Sequence, residues 1–415
     1  MLGDVPEKAQ KLRFKAPRGE ISRRGLFDSL VPKHQVIPYI ESLKCVGERC
    51  ELCRQSCAFD AIVVDDGGVS IDRLSCRGCG VCTGACPRGA IVHPGFSLNQ
   101  LNAELEGLLL DDGNVPQPRI VAMVCQSSRH SSGDSDSDIF KHAPNFLPME
   151  MPCLSMASPW LMLRAFDLGA QGLALIYESE KCQFRFGSEK WQGAVQFVQA
   201  LLNHWGIQPE RVGLFDGGNL VRELLDFGRT VVEFGPISLR SSGAVELRAE
   251  DRPLAALIRG MGERLGAKLS GTISAGEVPF GKVTLDGSRC TGCGLCAADC
   301  PTGALVVLPG GDSYGLVLHQ ESCLGCGQCI KICPEECLKL EKVLELDKLG
   351  GSPQTMIEGD FVRCEVCGAP IAPRAMVEKI RARMAAMGGN TSRLETCPDC
   401  KMKTKPGSAR SRVGV

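Results

Sequence analysis

The stretch CRGCGVCTGACPRGA, from Cys76 to Ala90, sets four cysteines within eleven residues and follows the last with proline. The same grammar returns at CTGCGLCAADCPTGA from Cys290 and at CLGCGQCIKICPEEC from Cys323. A looser version holds Cys45, Cys50, Cys53 and Cys57. Thiolates are soft ligands, and a C-x2-C-x2-C loop wraps tightly enough to present three of them to three irons of a cubane cluster from one side. The fourth ligand must come from elsewhere. The chain carries 24 cysteines, and most sit in such tight groups rather than scattered as a disulfide framework would place them. Clustered thiols point to metal and to a reducing compartment, so a cytoplasmic location is expected.

Two-cluster bacterial ferredoxins repeat the C-x2-C-x2-C-x3-C-P run and give the fourth cysteine of each run to the other run's cluster. This chain resembles them twice, over residues 38–95 and 281–340. Between the paired runs lie AIVVDDGGVSID and ALVVLPGGDSYGLVLH, each reading as a hairpin around a Gly/Asp turn. The resemblance implies four [4Fe–4S] clusters. Exchanging fourth ligands assigns Cys45, Cys50, Cys53 and Cys86 to one, and Cys76, Cys79, Cys82 and Cys57 to its neighbour. The second pair divides as Cys290, Cys293, Cys296 with Cys333, and Cys323, Cys326, Cys329 with Cys300. The first run departs from the pattern: four residues separate Cys45 from Cys50, and Ala58 replaces the proline. Cys337 is expected to be a buried small residue, not a ligand.

Residues 118–235 have another character. IVAMVC and GLALIYES read as strands, while SPWLMLRAFDLGA and EKWQGAVQFVQALLNHWG read as helices. Alternating strand and helix argue for a mainly parallel α/β domain. Trp191, Val195, Val198, Leu202 and Trp205 recur at helical spacing and should form one buried face. Three lone cysteines, Cys125, Cys153 and Cys182, sit in the loops. With LMLRAFDLGAQGLALIY and CQFRFGSEKWQGAVQFVQALLNHWGIQPERVGLFD, they resemble the delta (iron–sulfur) subunit of methyl-viologen-reducing hydrogenase. That family links a hydrogenase or formate dehydrogenase to heterodisulfide-reductase-like complexes and carries a [2Fe–2S] cluster on cysteines of these loops. Ser128 and Tyr177 stand where the family has two further cysteines. Two readings stay open: His130, Glu178, Glu180 or another subunit completes a [2Fe–2S] site, or the cluster is lost and the domain is a docking scaffold.

Near the C-terminus, Cys364 and Cys367 form one CxxC turn and Cys397 and Cys400 another, a set suited to one tetrahedral zinc, with rubredoxin-type iron as the alternative. This zinc-ribbon-like module spans 361–401. A basic N-terminal arm over 1–37, a linker with one helix over 240–280, a second glycine-bearing linker over 341–360 and a disordered basic tail over 402–415 complete the plan. The fold class expected is therefore multidomain, α+β and α/β, with two ferredoxin-like domains flanking the α/β domain and a small zinc-knuckle module at the end.

A formal charge of −1 and 5% aromatic content argue against chain-wide attraction to nucleic acid. No window approaches the roughly 18 consecutive apolar residues of a membrane span. No G-x-G-x-x-G, P-loop, nucleophile elbow or HExxH is present, so neither nucleotide site nor catalytic centre is expected. The reading is a non-catalytic iron–sulfur electron-transfer subunit of a hetero-oligomeric redox complex, its partners being a hydrogenase, formate dehydrogenase or heterodisulfide-reductase-like subunit. A free-standing polyferredoxin carrier is the alternative, ahead of a catalytic iron–sulfur enzyme or a redox-sensing nucleic-acid-binding regulator.

Overall fold

The computed structural model describes residues 36–403, apart from 48–49, 66–67, 87, 110–115, 127–139, 142, 181, 183–187, 218, 240–244 and 246–252. The expected N-terminal arm and all but the start of the basic tail, as well as Ser128 and His130, lie outside the described residues.

The middle of the chain builds a four-stranded, wholly parallel sheet. Its strands run side by side as Phe146–Met151, Ile120–Cys125, Gly172–Tyr177 and Val212–Asp216. The central strand IVAMVC is buried along nearly its whole length, as a strand covered on both faces must be. Helices Pro159–Asp167, Ser188–His204 and Pro253–Leu265 contribute to the larger core on one side, and Leu220–Glu233 packs on the other. The Trp191, Val195, Val198, Leu202 and Trp205 face lies in that larger core, as its spacing predicts. Ser158 starts its helix cleanly: Pro159 follows, and its Oγ accepts a bond from the Leu161 N–H at 3.3 Å.

Each cysteine-rich segment has the same plan. In the first, Tyr39–Ile40 pairs antiparallel with Ile91–Val92, and Ile62–Asp65 forms a hairpin with Gly68–Ile71. Helices Leu52–Ser56 and Val81–Ala85 each carry a third cysteine of a run. In the second, Lys282–Leu285 pairs with Leu338–Glu341, Leu305–Gly310 with Ser313–Leu318, and Leu295–Ala298 and Gln328–Lys331 are the cysteine-bearing helices.

The stretches that read as linkers from their glycines are packed. Leu254, Ala255, Leu257, Ile258 and Met261 of Pro253–Leu265 lie in the main core. Leu344, Leu346 and Leu349 join the same core, and Leu344–Glu345 pairs with Thr272–Ile273. Gln354–Arg363 then adds to the second segment's hairpin and pairs with Pro370–Pro373, so the C-terminal cysteine turns hang from a sheet of four strands. Glycine content signals turns here, but periodic leucines between them supply the burial that holds the segments down.

Candidate iron–sulfur and metal sites

All 24 cysteines are free thiols. In three of the four runs a glycine sits between the second and third cysteines and opens the short helix: Gly80, Gly294 and Gly327, with φ of 76°, 74° and 77°. Left-handed backbone at this point turns the loop so that its sulfurs converge, and glycine adopts it without steric cost.

The buried third thiol of each run is acted on by its neighbours in its own run and in the paired run. Cys53 is pushed up to about 11, by burial first and then by Cys86, Cys50 and Cys45. Cys82 is raised by burial, then by Cys79, Cys76 and Cys57. Cys296 reaches about 11 through burial, then Cys293, Cys290 and Cys333. Cys329 reaches about 12 through burial, then Cys323 and Cys326, with Cys296 and Cys300 behind them. Buried, mutually repelling thiolates are untenable by themselves and become stable once irons neutralise them. Cys290, Cys293, Cys296 and Cys333 line one cavity whose remaining wall includes Val307, Tyr314 and Leu316. A lining of four thiols and mainly apolar side chains is chemically suited to an iron–sulfur cluster. Backbone N–H groups point at the sulfurs, from Ala61 to Cys57 at 3.4 Å, Ala90 to Cys86 at 3.2 Å and Gly292 to Cys290 at 3.4 Å. Such bonds favour the more negative state of a cluster and raise its potential.

In the α/β unit, Cys125 and Cys153 stand together, and Cys153 is raised chiefly by its hydrogen bond with Cys125 and by burial. The Ser155 N–H donates to the Cys153 sulfur at 3.5 Å. Cys153 and Cys182 pack against Cys79 of the first segment. Tyr177 turns instead to the core and stacks edge-on against Trp191, ring centres 4.9 Å apart.

At the C-terminal end, the sulfurs of Cys364, Cys367, Cys397 and Cys400 all lie within 4.8 Å of one another, and those of Cys367 and Cys397 are 3.7 Å apart. Zinc–sulfur bonds of about 2.3 Å in a tetrahedron put sulfurs about 3.8 Å apart, so the set matches a four-thiolate ion site. The Cys397 N–H, 3.3 Å from the Cys364 sulfur, is the first cause that draws Cys364 down to about 6. Cys400 is pushed up to about 12, first by Cys397. One thiol is ready to ionise and another resists, as expected where a cation has to settle the remaining charge.

Several contributing residues carry no signal in the spacing. Cys337 is buried, as expected, but its sulfur lies 3.5 Å from that of Cys333. Tyr314 is buried against the Gly292 loop, and Met156 against Gly80. These depend on contacts between segments far apart in the chain, which no local pattern encodes.

Comparison with known proteins agrees with this geometry. Residues 120–226 match the family model of the methyl-viologen-reducing hydrogenase delta subunit. Residues 289–337 match the 4Fe-4S dicluster domain, and 69–92 the 4Fe-4S binding domain. An F420-non-reducing hydrogenase iron-sulfur subunit from Archaeoglobus profundus is 24% identical over 127 residues, which is 29% of this chain and 93% of that protein. The vhu iron-sulfur subunit of the F420-non-reducing hydrogenase from Methanococcus maripaludis is 24% identical over 132 residues, 30% of this chain and 98% of that protein. The IorA subunit of indolepyruvate oxidoreductase from Methanothermobacter thermautotrophicus is 48% identical over 52 residues, 12% of this chain; the chain spans only 8% of that protein's length. Among the described residues no helix is long and apolar enough to cross a membrane. The chain thus joins a hydrogenase-delta-like segment to two segments of the 4Fe-4S ferredoxin kind.

Proposed function

We propose that this protein is a non-catalytic iron–sulfur subunit that relays single electrons between a dehydrogenase or hydrogenase partner and an acceptor subunit of a redox complex. The observation that carries the reading is that each buried third cysteine of the four runs is surrounded by thiols of its own run and of the paired run, and three of the four runs lie within segments that match 4Fe-4S-binding families. Cys45, Cys50, Cys53 and Cys86 would hold one [4Fe–4S] cluster, and Cys57, Cys76, Cys79 and Cys82 the second. Cys290, Cys293, Cys296 and Cys333 would hold the third, and Cys300, Cys323, Cys326 and Cys329 the fourth. Such clusters supply one-electron transfer with little atomic movement. The protein's part is to fix the sulfurs, direct N–H groups at them and keep water away.

Cys364, Cys367, Cys397 and Cys400 would hold a structural zinc that ties down a module with little core of its own. Cys125, Cys153 and Cys182 offer three thiolates where a [2Fe–2S] cluster takes four ligands. Their packing against Cys79 supports a role in passing electrons into the first segment when that site is filled. The reading is tested by iron, sulfide and zinc analysis of the chain purified without oxygen. Four clusters require about sixteen irons, and an occupied middle site about eighteen. Reduction by dithionite followed by return of the electrons to a one-electron dye, with no substrate turned over, is the expected behaviour. Iron-free protein would overturn the reading.

A further inference from the structure

The first cysteine run differs from the others at one informative position. Where Gly80, Gly294 and Gly327 hold left-handed backbone, this run has Glu51 at φ −101°. The loop thereby gains a carboxylate beside Cys50. Its partner lies in the other ferredoxin-like segment: Lys331 Nζ donates to Glu51 Oε2 at 3.1 Å, across 280 residues of sequence. Lys331 ends the short helix that carries Cys329. Glu51 follows Cys50 directly and Lys331 stands two residues after Cys329, so the contact brings the two cysteine loops together. The other cysteine loop of the first segment meets the α/β unit instead: Cys79 packs with Cys153 and Cys182, and Gly80 leaves room for Met156.

We propose that the Glu51–Lys331 pair marks an electron junction, seating the Cys50 loop against the Cys326 loop so that the clusters they hold are neighbours. The four cluster sites would then follow in sequence from the three-thiol pocket, by way of the Cys79, Cys50 and Cys326 loops, to the Cys290 loop. The inference rests on the four-cluster reading above. Each hop oxidises one cluster by one electron and reduces the next by one; no bond forms or breaks. An external one-electron reductant and oxidant, the redox partners, close the balance. The departure of the first run from its siblings becomes intelligible: a carboxylate stands where glycine would, at a loop from which it reaches a lysine of the second ferredoxin-like segment.

Two measurements on the full chain, purified without oxygen, test this. Carbodiimide cross-linking and peptide mass spectrometry should join Glu51 to Lys331 about as readily as Glu277 to Lys342, which are also 3.1 Å apart and exposed. Lys331→Met should abolish the first link and keep the second. In the dithionite-reduced chain, Cys53→Ala, which removes the junction cluster, should slow spin relaxation of the second segment's clusters several-fold. Cys82→Ala, which removes the remote cluster, should leave it unchanged. The control link forming without Glu51–Lys331, or Cys82→Ala perturbing the second segment as much as Cys53→Ala, overturns the junction while the iron content upholds the clusters. Wild-type chain without iron overturns the reading on which the junction stands.

Discussion

The Cys337 sulfur lies 3.5 Å from that of Cys333, and burial, its first cause, pushes the Cys337 thiol up to about 12. Cys337 stands outside the proposed ligand set, so with Cys333 on iron its S–H is the group that can donate across this contact. Cys337→Ser should keep both the donor and the full iron content. Cys337→Ala should also keep the iron, but lower the reduction potential of one cluster by tens of millivolts, because the more negative state loses a hydrogen bond of about 1.5 kcal/mol. A redox titration monitored by electron paramagnetic resonance checks both, and loss of a cluster in either variant would make Cys337 a ligand.

Gly80 combines a φ of 76° with contact against Met156. Gly80→Ala should destabilise the chain by about 1–3 kcal/mol, through backbone strain and displacement of the methionine. Gly107 offers the contrast. It sits exposed within the helix Leu98–Leu109 with nothing near its missing side chain, so Gly107→Ala should stabilise by about 0.5–1 kcal/mol. Chemical denaturation of the anaerobic protein separates the two.

His93 is buried against Phe96, and burial lowers its pKa below the ordinary value near 6.5. The folded chain thus prefers the neutral ring. Its contribution to stability is present above about pH 6.5 and is lost as pH falls through the depressed folded-state value. His93→Phe should flatten the acid limb of the stability profile between those limits, measured as unfolding midpoint against pH.

Legibility in the sequence differs by element. The cubane motifs, the parallel sheet and the buried Trp191–Trp205 face are local or periodic features, and their spacing announces them. The packing of residues 253–265 and 344–349 does not show in the sequence because both are short apolar stretches set among glycine-bearing segments, and their leucines find partners only in the assembled core. Glu51, read alone, looks like a flaw in a motif. Its significance needs Lys331, and nothing in the sequence says that residues 280 positions apart will meet.

Removal of the proposed C-terminal zinc by a chelator should be a local event. Cys364, Cys397 and Cys400 form their own small cluster with Ile371, apart from the iron-binding cores. Cys397→Ser should release one zinc per chain and expose residues 361–403 to proteolysis without altering the iron content. A parallel loss of iron would show that the module supports the second ferredoxin-like segment.

Coulometric reduction of the oxygen-protected full chain, with its spectrum followed at each step, reaches the central claim most directly. The account predicts uptake of about four electrons per chain, one for each cubane, with paramagnetic signals growing in step. A colourless chain that accepts none, its cysteines all open to thiol reagents, would contradict it.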